Sequence, residues 1–332
     1  MLKLEELRGQ KLFITGGTGF IGKWLLESFV SENDRQALGA EAWVLTRDAQ
    51  AFKREMPELA AHPSVHFVTG DVTDFRFPDQ SFSHVIHGAA SANAAENEAQ
   101  PLETSRTIIQ GTERVLDLAR KSGTKRLLLL SSGAIYGKDL PDLIHEDSLL
   151  GPNPLDPRSA YGESKRMAEL LCAIAAKTTG MEVKIARIFA LAGPRLPLNG
   201  SFAVGNFIRD ALTGGPIRIA GDGSPLRSYL YAGDMTRWLW TLLFQAPSLR
   251  PYNVGSDETF SILEIARLVA RETERALGKK IEIEVKQKAD PSKTPSRYIP
   301  SIERARHELG LQATVKLTEA VQRMIDWERR QK

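Results

Sequence analysis

One cysteine, Cys172, stands among 332 residues. No disulfide can form within the chain and no cysteine cage can hold a metal, a usage that fits a reducing cytoplasm. No segment is apolar over the roughly 20 residues a membrane span needs. Met1-Leu2-Lys3-Leu4-Glu5-Glu6 carries acids and has no apolar core, so this N-terminus does not read as a signal peptide. Neither sign of charge is in excess. The formal net charge is +3 with the signs interspersed, which speaks against a dedicated nucleic-acid surface. A small anion needs only a local cluster of Arg and Lys, and that possibility stays open. Metal-ligand spacing is missing too: His62, His66, His84, His87 and His307 are scattered, and His145-Glu146-Asp147 has no second histidine at a ligating offset. No internal repeat or low-complexity segment is present. What remains is the composition of a soluble globular protein, long enough for one large α/β domain with a lobe or for two ordinary domains.

The chain is organised around Lys11 to Glu27. Leu12-Phe13-Ile14 has strand composition, and Thr15-Gly16-Gly17-Thr18-Gly19-Phe20-Ile21-Gly22 follows it. Gly17, Gly19 and Gly22 satisfy the G-x-G-x-x-G spacing, and Gly16, Gly19 and Gly22 a three-residue variant. One glycine permits the tight turn, one lets backbone approach a pyrophosphate, and one lets helix press on strand. Phe20, Ile21, Trp24 and Leu25 then recur at helical spacing, so the helix would aim its free N–H groups at that anion. Glycines in this pattern are common by themselves; the strand before and the helix after give it meaning.

Further strands are expected at Glu41–Thr46, Val65–Val68, Val85–His87, Leu127–Leu130 and Val183–Ile188, and helices from about Glu103 to Lys121 and Ser159 to Thr178. Such alternation implies right-handed crossovers and a Rossmann-type, doubly wound parallel sheet of the α/β class, with ligands beyond the carboxyl ends of the strands. The small Gly88-Ala89-Ala90 lies at one such end and Ser132 at another. Beyond Gly193-Pro194 the texture turns to prolines, glycines and short segments, with one apolar run at Trp238–Phe244. A helix from Ser261 to Leu277, a strand at Ile281–Val285 and a helix from Val315 to Gln331 close the chain. The division expected is a dinucleotide-binding domain over 1–193 and a smaller substrate-binding lobe over 194–332, some segments interleaved.

Tyr161-Gly162-Glu163-Ser164-Lys165 puts a phenol and an ammonium four residues apart, hence on one helix face. A free tyrosine has a pKa of about 10, too high for a base at neutral pH. The Lys165 charge and the positive ring of an oxidised nicotinamide both favour the phenolate and are expected to lower it. Ser132 can bond the same substrate oxygen, so the set suits proton transfer at a carbon that gives or takes hydride. A Tyr-Lys pair at this spacing also arises by chance on surface helices; the dinucleotide loop upstream and the strand-end serine argue against chance here.

These residues resemble the extended short-chain dehydrogenases/reductases, specifically the sugar-nucleotide epimerase/dehydratase group, over almost the whole chain. Gly16-Gly17-Thr18-Gly19-Phe20-Ile21-Gly22 is similar to that family's glycine loop, Asp71 to its adenine-contacting aspartate, and Ser131-Ser132-Gly133-Ala134-Ile135-Tyr136-Gly137 to its serine motif. Ser132, Tyr161 and Lys165 then match the catalytic triad. Gly221-Asp222-Gly223 followed by Arg227-Ser228-Tyr229-Leu230-Tyr231 and Asp234 resembles the nucleotide-sugar segment, and Asn253-Val254-Gly255 and Arg297 fit the same C-terminal pattern. The resemblance implies an NAD(P)-dependent enzyme acting on a nucleotide-diphosphate sugar. Candidate cofactor contacts are Gly16, Gly19, Phe20, Ile21, Gly22, Arg47, Asp71, Val72, Ala89, Ala90, Tyr161 and Lys165. Candidate substrate contacts are Ser91, Ser132, Gly133, Ala134, Asn206, Arg227 and Arg297, the arginines because each offers a diphosphate a planar fork of donors. Glu146 is a weaker candidate on a loop over the site.

Departures refine the expectation. Thr107 precedes Ile108-Ile109-Gln110-Gly111-Thr112 where relatives often carry Asn, and Arg187-Ile188-Phe189-Ala190 lacks the Asn of an Arg-x-Phe-Asn segment. Gly133-Ala134 stands where hexose 4,6-dehydratases carry Asp-Glu, so dehydration is the least expected reaction. A C4 epimerase working through a transient keto-sugar is favoured over an NADPH-dependent keto-sugar reductase, and a non-catalytic dinucleotide sensor would have no need of the triad. Thr46 and Arg47 at the end of the second strand tilt the cofactor towards NADP, while Asp48 nearby keeps NAD open. Similar enzymes pair the two long helices across a homodimer, for which Ile108, Val115, Leu170, Leu171 and Ile174 are the apolar candidates here.

Overall fold

The computed structural model describes residues 2, 4–90, 94–138, 140–200, 202–290, 292 and 294–331. In chain order the elements are β1 (Lys11–Thr15), α1 (Phe20–Arg35), β2 (Glu41–Thr46), α2 (Ala49–Glu55), α3 (Pro57–Ala61), β3 (Val65–Thr69), β4 (His84–His87), α4 (Ala94–Ala99), α5 (Pro101–Ser122), β5 (Arg126–Ser132), α6 (Ala160–Thr179) and β6 (Glu182–Ile188). After them come β7 (Leu191–Ala192), α7 (Ala203–Leu212), β8 (Ile217–Ile219), β9 (Leu226–Arg227), β10 (Leu230–Tyr231), α8 (Ala232–Gln245), β11 (Pro251–Val254), β12 (Phe260–Ser261), α9 (Ile262–Leu277), β13 (Ile283–Val285), β14 (Arg297–Tyr298), α10 (Glu303–Leu309) and α11 (Leu317–Arg330). The chain divides into two compact units, one of Met1–Gly137, Gly151–Arg187 and Thr236–Tyr252, the other of Lys138–Leu150, Ile188–Met235 and Asn253–Lys332.

The first unit is built on a seven-stranded sheet in the order β11-β6-β5-β4-β1-β2-β3. Its strands run parallel from β3 through β2, β1 and β4 to β5, a Rossmann-type arrangement. Leu12, Phe13 and Ile14, and Leu127 to Leu129, are almost wholly buried, as strands covered on both faces require. Strand order reverses between β1 and β4, so their carboxyl ends flank the crevice where such sheets take ligands. There the Gly88 N–H donates to the Thr15 carbonyl at 3.1 Å. Helix α5 turns Ile108, Val115, Leu118 and Ala119 into the core and ends on Gly123 at φ 64°, a left-handed cap glycine adopts without strain.

Segment 196–250, irregular to the eye in sequence, holds two helices. Helix α7 buries Val204, Phe207, Ile208 and Ala211 at helical spacing. Helix α8 is buried over most of its surface: Trp238, Leu239, Trp240, Leu242 and Leu243 are at most 1% exposed, and only a narrow stripe through Gly233, Arg237, Thr241 and Gln245 reaches towards solvent. So narrow a polar stripe leaves only Thr241 to interrupt Trp238–Phe244, which is why the sequence there reads as an apolar run. The indole N–H of Trp240 donates to Ser28 Oγ at 2.8 Å, so α8 is fastened to α1.

In the second unit β9 lies between β12, antiparallel to it, and β14, parallel to it, and β8 pairs with β13. Ser261 and Glu264 form a reciprocal capping box at the start of α9, satisfying two N–H groups of its first turn. Asp234, from the segment that resembles a nucleotide-sugar contact, is buried and accepts from Thr314 N, Thr314 Oγ1 and Val315 N at 2.7, 2.6 and 3.0 Å. Its carboxylate thus ties the approach to α11.

Candidate active site

The turn after β1 is glycine-rich for two different reasons. A Cβ on Gly16, whose φ is +73°, would lie 2.7 Å from the Gly88 carbonyl carbon, and one on Gly22 would lie 2.4 Å from the Gly16 oxygen. Backbone cannot yield at those distances, so both glycines are required by the fold. Gly19 is exposed, and a Cβ there would meet only the Gly16 oxygen at 3.4 Å. No packing demands glycine at that position. It is the N-cap of α1 without a side-chain cap bond, so N–H groups of the first turn, at Phe20 and Ile21, are left for another acceptor. An open backbone cradle at an uncapped helix start fits a dinucleotide's diphosphate.

Around it the carboxyl ends of the strands supply the rest. Asp71 Oδ1 accepts from Thr73 N at 3.0 Å and Thr73 Oγ1 at 2.7 Å. Burial opposes the Asp71 charge, but those bonds and then the nearby Arg47 guanidinium hold its pKa below the usual range. Arg47 is exposed, and Asp48 spends Oδ1 on capping α2 through Ala51 N at 2.9 Å. Val72 is buried in the core, where its Cγ1 sits 2.8 Å from the place a Cβ on Gly111 would take, so α5 can approach only because residue 111 is glycine. Ala89 and Ala90 are half-buried against the same core.

A buried hydrogen-bond chain fixes the backbone at Gly88 and Ala89. Thr112 Oγ1 donates to the Ile108 carbonyl at 2.6 Å and therefore accepts from His87 Nε2, 3.1 Å away. That leaves His87 Nδ1 as acceptor for the Thr15 hydroxyl at 2.7 Å, and Thr15 Oγ1 in turn accepts from Gly88 N and Ala89 N, each at 3.1 Å. Burial, with the Lys165 charge adding to it, pushes the His87 pKa down to about 3, so the ring stays neutral in this one tautomer.

Tyr161 and Lys165 emerge from the first turns of α6. Gly162 permits this, because a Cβ there would lie 2.6 Å from the Ala134 oxygen in the 3₁₀ turn Gly133–Tyr136. Ser132 caps that turn, its Oγ accepting from Ala134 N at 3.1 Å, and is bonded to the Tyr161 phenol. Lys165 is buried, donates to the Leu130 carbonyl at 2.9 Å and sits 5.9 Å from the Tyr161 ring centre. Burial brings its pKa down to about 8, against the pull of the Glu169 carboxylate and of Cys172. The expectation that Lys165 depresses the phenol is corrected in the protein alone: burial raises the Tyr161 pKa and the bond to Ser132 offsets only part of it. In the protein alone the phenol therefore keeps its proton at neutral pH. A bound nicotinamide would supply hydride chemistry and, when oxidised, the positive charge that favours the phenolate.

A Rossmann-type turn with an open cradle, followed by a serine, a phenol and a lysine on adjoining elements, now stands beside what is known of other proteins. The model of the NAD dependent epimerase/dehydratase family matches residues 12–255. The chain belongs to that family. It is 30% identical over 328 residues to UDP-glucuronic acid decarboxylase 1 of Xenopus tropicalis, covering 99% of this chain and 74% of that one. To the Danio rerio protein of the same name it is 31% identical, over 98% and 74%. The solved UDP-glucose 4-epimerase of Thermus thermophilus, a complex with NAD, superposes with a TM-score of 0.77 at 26% identity, covering 96% and 99%. The chain is accordingly an enzyme of the NAD(P)-dependent epimerase/dehydratase type.

The family's glycine loop, Ser132, Tyr161 and Lys165 all lie in the first unit, and Ser132 and Tyr161 are in contact. Ser91 lies outside the described residues. Asn206, Arg227 and Arg297 belong to the second unit. There Asn206 Nδ2 donates to the Gly200 carbonyl at 3.1 Å. Arg227 and Arg297 are not brought side by side: the register sets Arg297 beside Leu226 and Tyr298 beside Arg227, so the two arginines leave opposite faces of their small sheet. Arg227 donates to the carbonyls of Leu226 and Ser296, whereas Arg297 pairs with Asp142 at 3.3 Å. Glu146 is corrected from substrate contact to structural anchor, because its buried carboxylate accepts from Asn253 N at 3.0 Å within the second unit. Thr15, His87 and Thr112 escaped the sequence reading. Only the long-range contact of two threonines with a strand-end histidine identifies them. Among the described residues no three His, Cys, Asp or Glu side chains are placed to hold a metal ion.

Proposed function

We propose that this enzyme epimerises a nucleotide-diphosphate sugar at C4 through a transient keto-sugar. Tyr161 takes the proton of the sugar hydroxyl as hydride leaves the carbon, Ser132 bonds the same oxygen, and the proton returns when hydride is restored to the opposite face. The observation that carries this is Gly133-Ala134. The buried Gly133 and its half-buried neighbour bring no acid or base beside Ser132, so the site has the means to move hydride and one proton but none there for eliminating water. A second reading is favoured by the decarboxylases of Xenopus tropicalis and Danio rerio. Oxidation at C4 of a hexuronate yields a β-keto acid, which loses carbon dioxide without a base at 133 or 134. NADP is proposed as the cofactor, because Arg47 is exposed beside the adenine-side Asp71 while Asp48 is engaged as a helix cap.

Incubation of the purified enzyme with UDP-, dTDP-, CDP- and GDP-sugars and uronates, each with NAD and with NADP, separates the outcomes. Interconversion of C4 epimers without net cofactor change is expected. Carbon dioxide release from a uronate would transfer the assignment to the second reading. Stoichiometric oxidation of NADPH by a keto-sugar would make it a reductase, and loss of water would refute the argument from Gly133-Ala134.

A homodimer is proposed as well, through α5 and α6. On α6, Met167, Leu170 and Ile174 form a stripe 41–54% exposed at spacings of three and four. Ile108 and Val115 of α5 face the core instead and do not belong to this surface. Light scattering at micromolar concentration is expected to give twice the chain mass; a monomer mass would reject the dimer.

A further inference from the structure

Arg187 and Glu169 have no role in the reaction as derived so far, yet they are bonded to each other and to the segment that carries Ser132. Glu169 lies on α6 at the position after Tyr161 and Lys165 in the series i, i+4, i+8, and so on their face. Arg187 is on β6. The pair is two-pronged: Arg187 Nε to Glu169 Oε1 at 3.1 Å and Nη2 to Oε2 at 2.8 Å, each side chain only 13% exposed. Both partners then reach the segment that carries Ser132. Glu169 Oε1 accepts from the Ser131 hydroxyl at 2.6 Å, and Arg187 Nη1 donates to the Tyr136 hydroxyl at 2.8 Å. Ser131 and Tyr136 bracket Ser132-Gly133-Ala134 on either side.

We propose that the Arg187–Glu169 pair is the positioning device of the active site, a polar fastening that sets the Ser132 turn against Tyr161 and Lys165. The proposal rests on the reading of those three residues as the catalytic set. Three elements, β5, α6 and β6, meet at two side chains, and the fork of Arg187 fixes direction as well as distance. An ordinary core contact of this size would be made by apolar groups, because a desolvated ion pair is seldom worth its desolvation in stability alone. Here one polar atom of each partner, Glu169 Oε1 and Arg187 Nη1, reaches beyond the pair to the segment that carries Ser132, at Ser131 and at Tyr136.

Charge gives the pair a second consequence. The groups facing the Lys165 ammonium are Tyr161, Glu169 and Cys172 on its own helix, His87 on β4, and the Leu130 carbonyl on β5. His87 is neutral and the buried Cys172 thiol is pushed up to about 12, so Glu169 is the one anion near Lys165 at neutral pH in that set. Burial draws Lys165 down and Glu169 holds it up. Removing the carboxylate must therefore move the ammonium's titration to lower pH, whereas loss of packing alone would not give that direction.

The test uses the full-length enzyme carrying ε-carbon-13 lysine, with the Lys165 signal assigned by its absence in Lys165→Arg. The Lys165 midpoint is expected near pH 8 in the parent and about one pH unit lower in Glu169→Gln. An unmoved or raised midpoint would overturn the electrostatic half of the proposal. In the same variant kcat is expected to fall about 10²-fold with KM changed less than about threefold, the mark of lost geometry rather than lost binding. Glu169→Met/Arg187→Met removes the ion pair while leaving no buried charge, and so remains foldable where a single variant fails. If that double variant, at parental melting temperature, keeps parental kcat and KM, the positioning role is overturned. Arg187→Lys keeps the charge without the fork and is expected to leave the Lys165 midpoint in place while kcat still falls. Lack of turnover by the parent on every sugar nucleotide would count against the proposed function; the titration reads out without substrate and decides the pair's influence on Lys165 independently.

Discussion

Tyr161→Phe is expected to bind cofactor with near-parental affinity and to lose turnover by roughly 10²–10⁴-fold, the usual worth of a positioned acid-base group. The substitution deletes one hydroxyl. The ring remains at the start of α6, where Gly162 still lets the helix lie against the Gly133–Tyr136 turn. Lys165 keeps its bond to the Leu130 carbonyl, 2.9 Å long. What disappears is the group that Ser132 bonds and that must exchange a proton with the sugar oxygen. Burial holds the phenol's pKa above its ordinary value in the protein alone, while the charge of an oxidised nicotinamide would oppose it. The oxidative half-reaction, which needs the phenolate, is therefore expected to speed up as pH rises in the parent until the phenolate predominates. The reductive half, which needs the protonated phenol, is expected to stay flat over the same range. Single-turnover rates in each direction as a function of pH, with cofactor binding followed by quenching of tryptophan emission, check both statements. Near-parental turnover in Tyr161→Phe would remove the tyrosine from the mechanism and leave Ser132 to be tested as the donor.

The parallel sheet and the placement of Tyr161 and Lys165 together on α6 were legible in the sequence because their signals are local. Leu127–Leu130 is a buried run, Gly123 marks the end of α5, and Tyr161 and Lys165 fall on one helix face by spacing alone. The glycine loop was equally plain, but sequence could not tell why each glycine is there. Only placement of neighbours separates Gly22, crowded by backbone, from Gly19, which faces space. Other features were illegible for a different reason. Helix α8 has only a narrow polar stripe to betray its period, and α7 is hidden by the glycines and prolines around it. His87 looked like one more scattered histidine because its partners are Thr15, 72 residues back, and Thr112, 25 residues on. The arginines are the converse case. Arg227 and Arg297 carry equal promise as diphosphate ligands when judged by residue type, but strand register sends them to opposite faces.

The direction of the Tyr161 shift follows the same logic. Sequence spacing supplies the lysine that would lower the phenol, and it carries no information on how dry the site is. Desolvation is a property of everything packed around α6, so its magnitude against the lysine's charge emerges only from the fold. Here burial weighs on both members of the pair, raising the phenol and lowering the ammonium to about 8. Burial thus favours the neutral form of each group, and the site holds its proton ready while resisting net charge in an apolar interior.

Gly22→Ala and Gly19→Ala are expected to fail in opposite ways, which makes the pair a direct test of the dinucleotide cradle. At Gly22 the added methyl would lie 2.4 Å from the Gly16 oxygen and as close to Gly17 backbone, so α1 must move off β1. Overpacking of this kind costs about 1–3 kcal/mol or more, and the melting temperature is expected to drop by several degrees with cofactor binding lost as the turn is distorted. Gly19 has φ −80° and ψ −179°, extended backbone that alanine adopts freely, and a methyl there meets only the Gly16 oxygen at 3.4 Å. Alanine at such a site trims the freedom of the unfolded chain, worth about 0.4–1 kcal/mol in favour of the fold. Gly19→Ala is therefore expected to melt at or slightly above the parental temperature. Its dissociation constant for cofactor is expected to rise at least tenfold, about 1.4 kcal/mol, because the methyl occupies the space left for the diphosphate at the uncapped start of α1. Thermal melts and cofactor titrations on the two variants, run with both NAD and NADP, read the two effects separately. Parental affinity in a stable Gly19→Ala protein would mean that the open side of this turn is not where the dinucleotide rests.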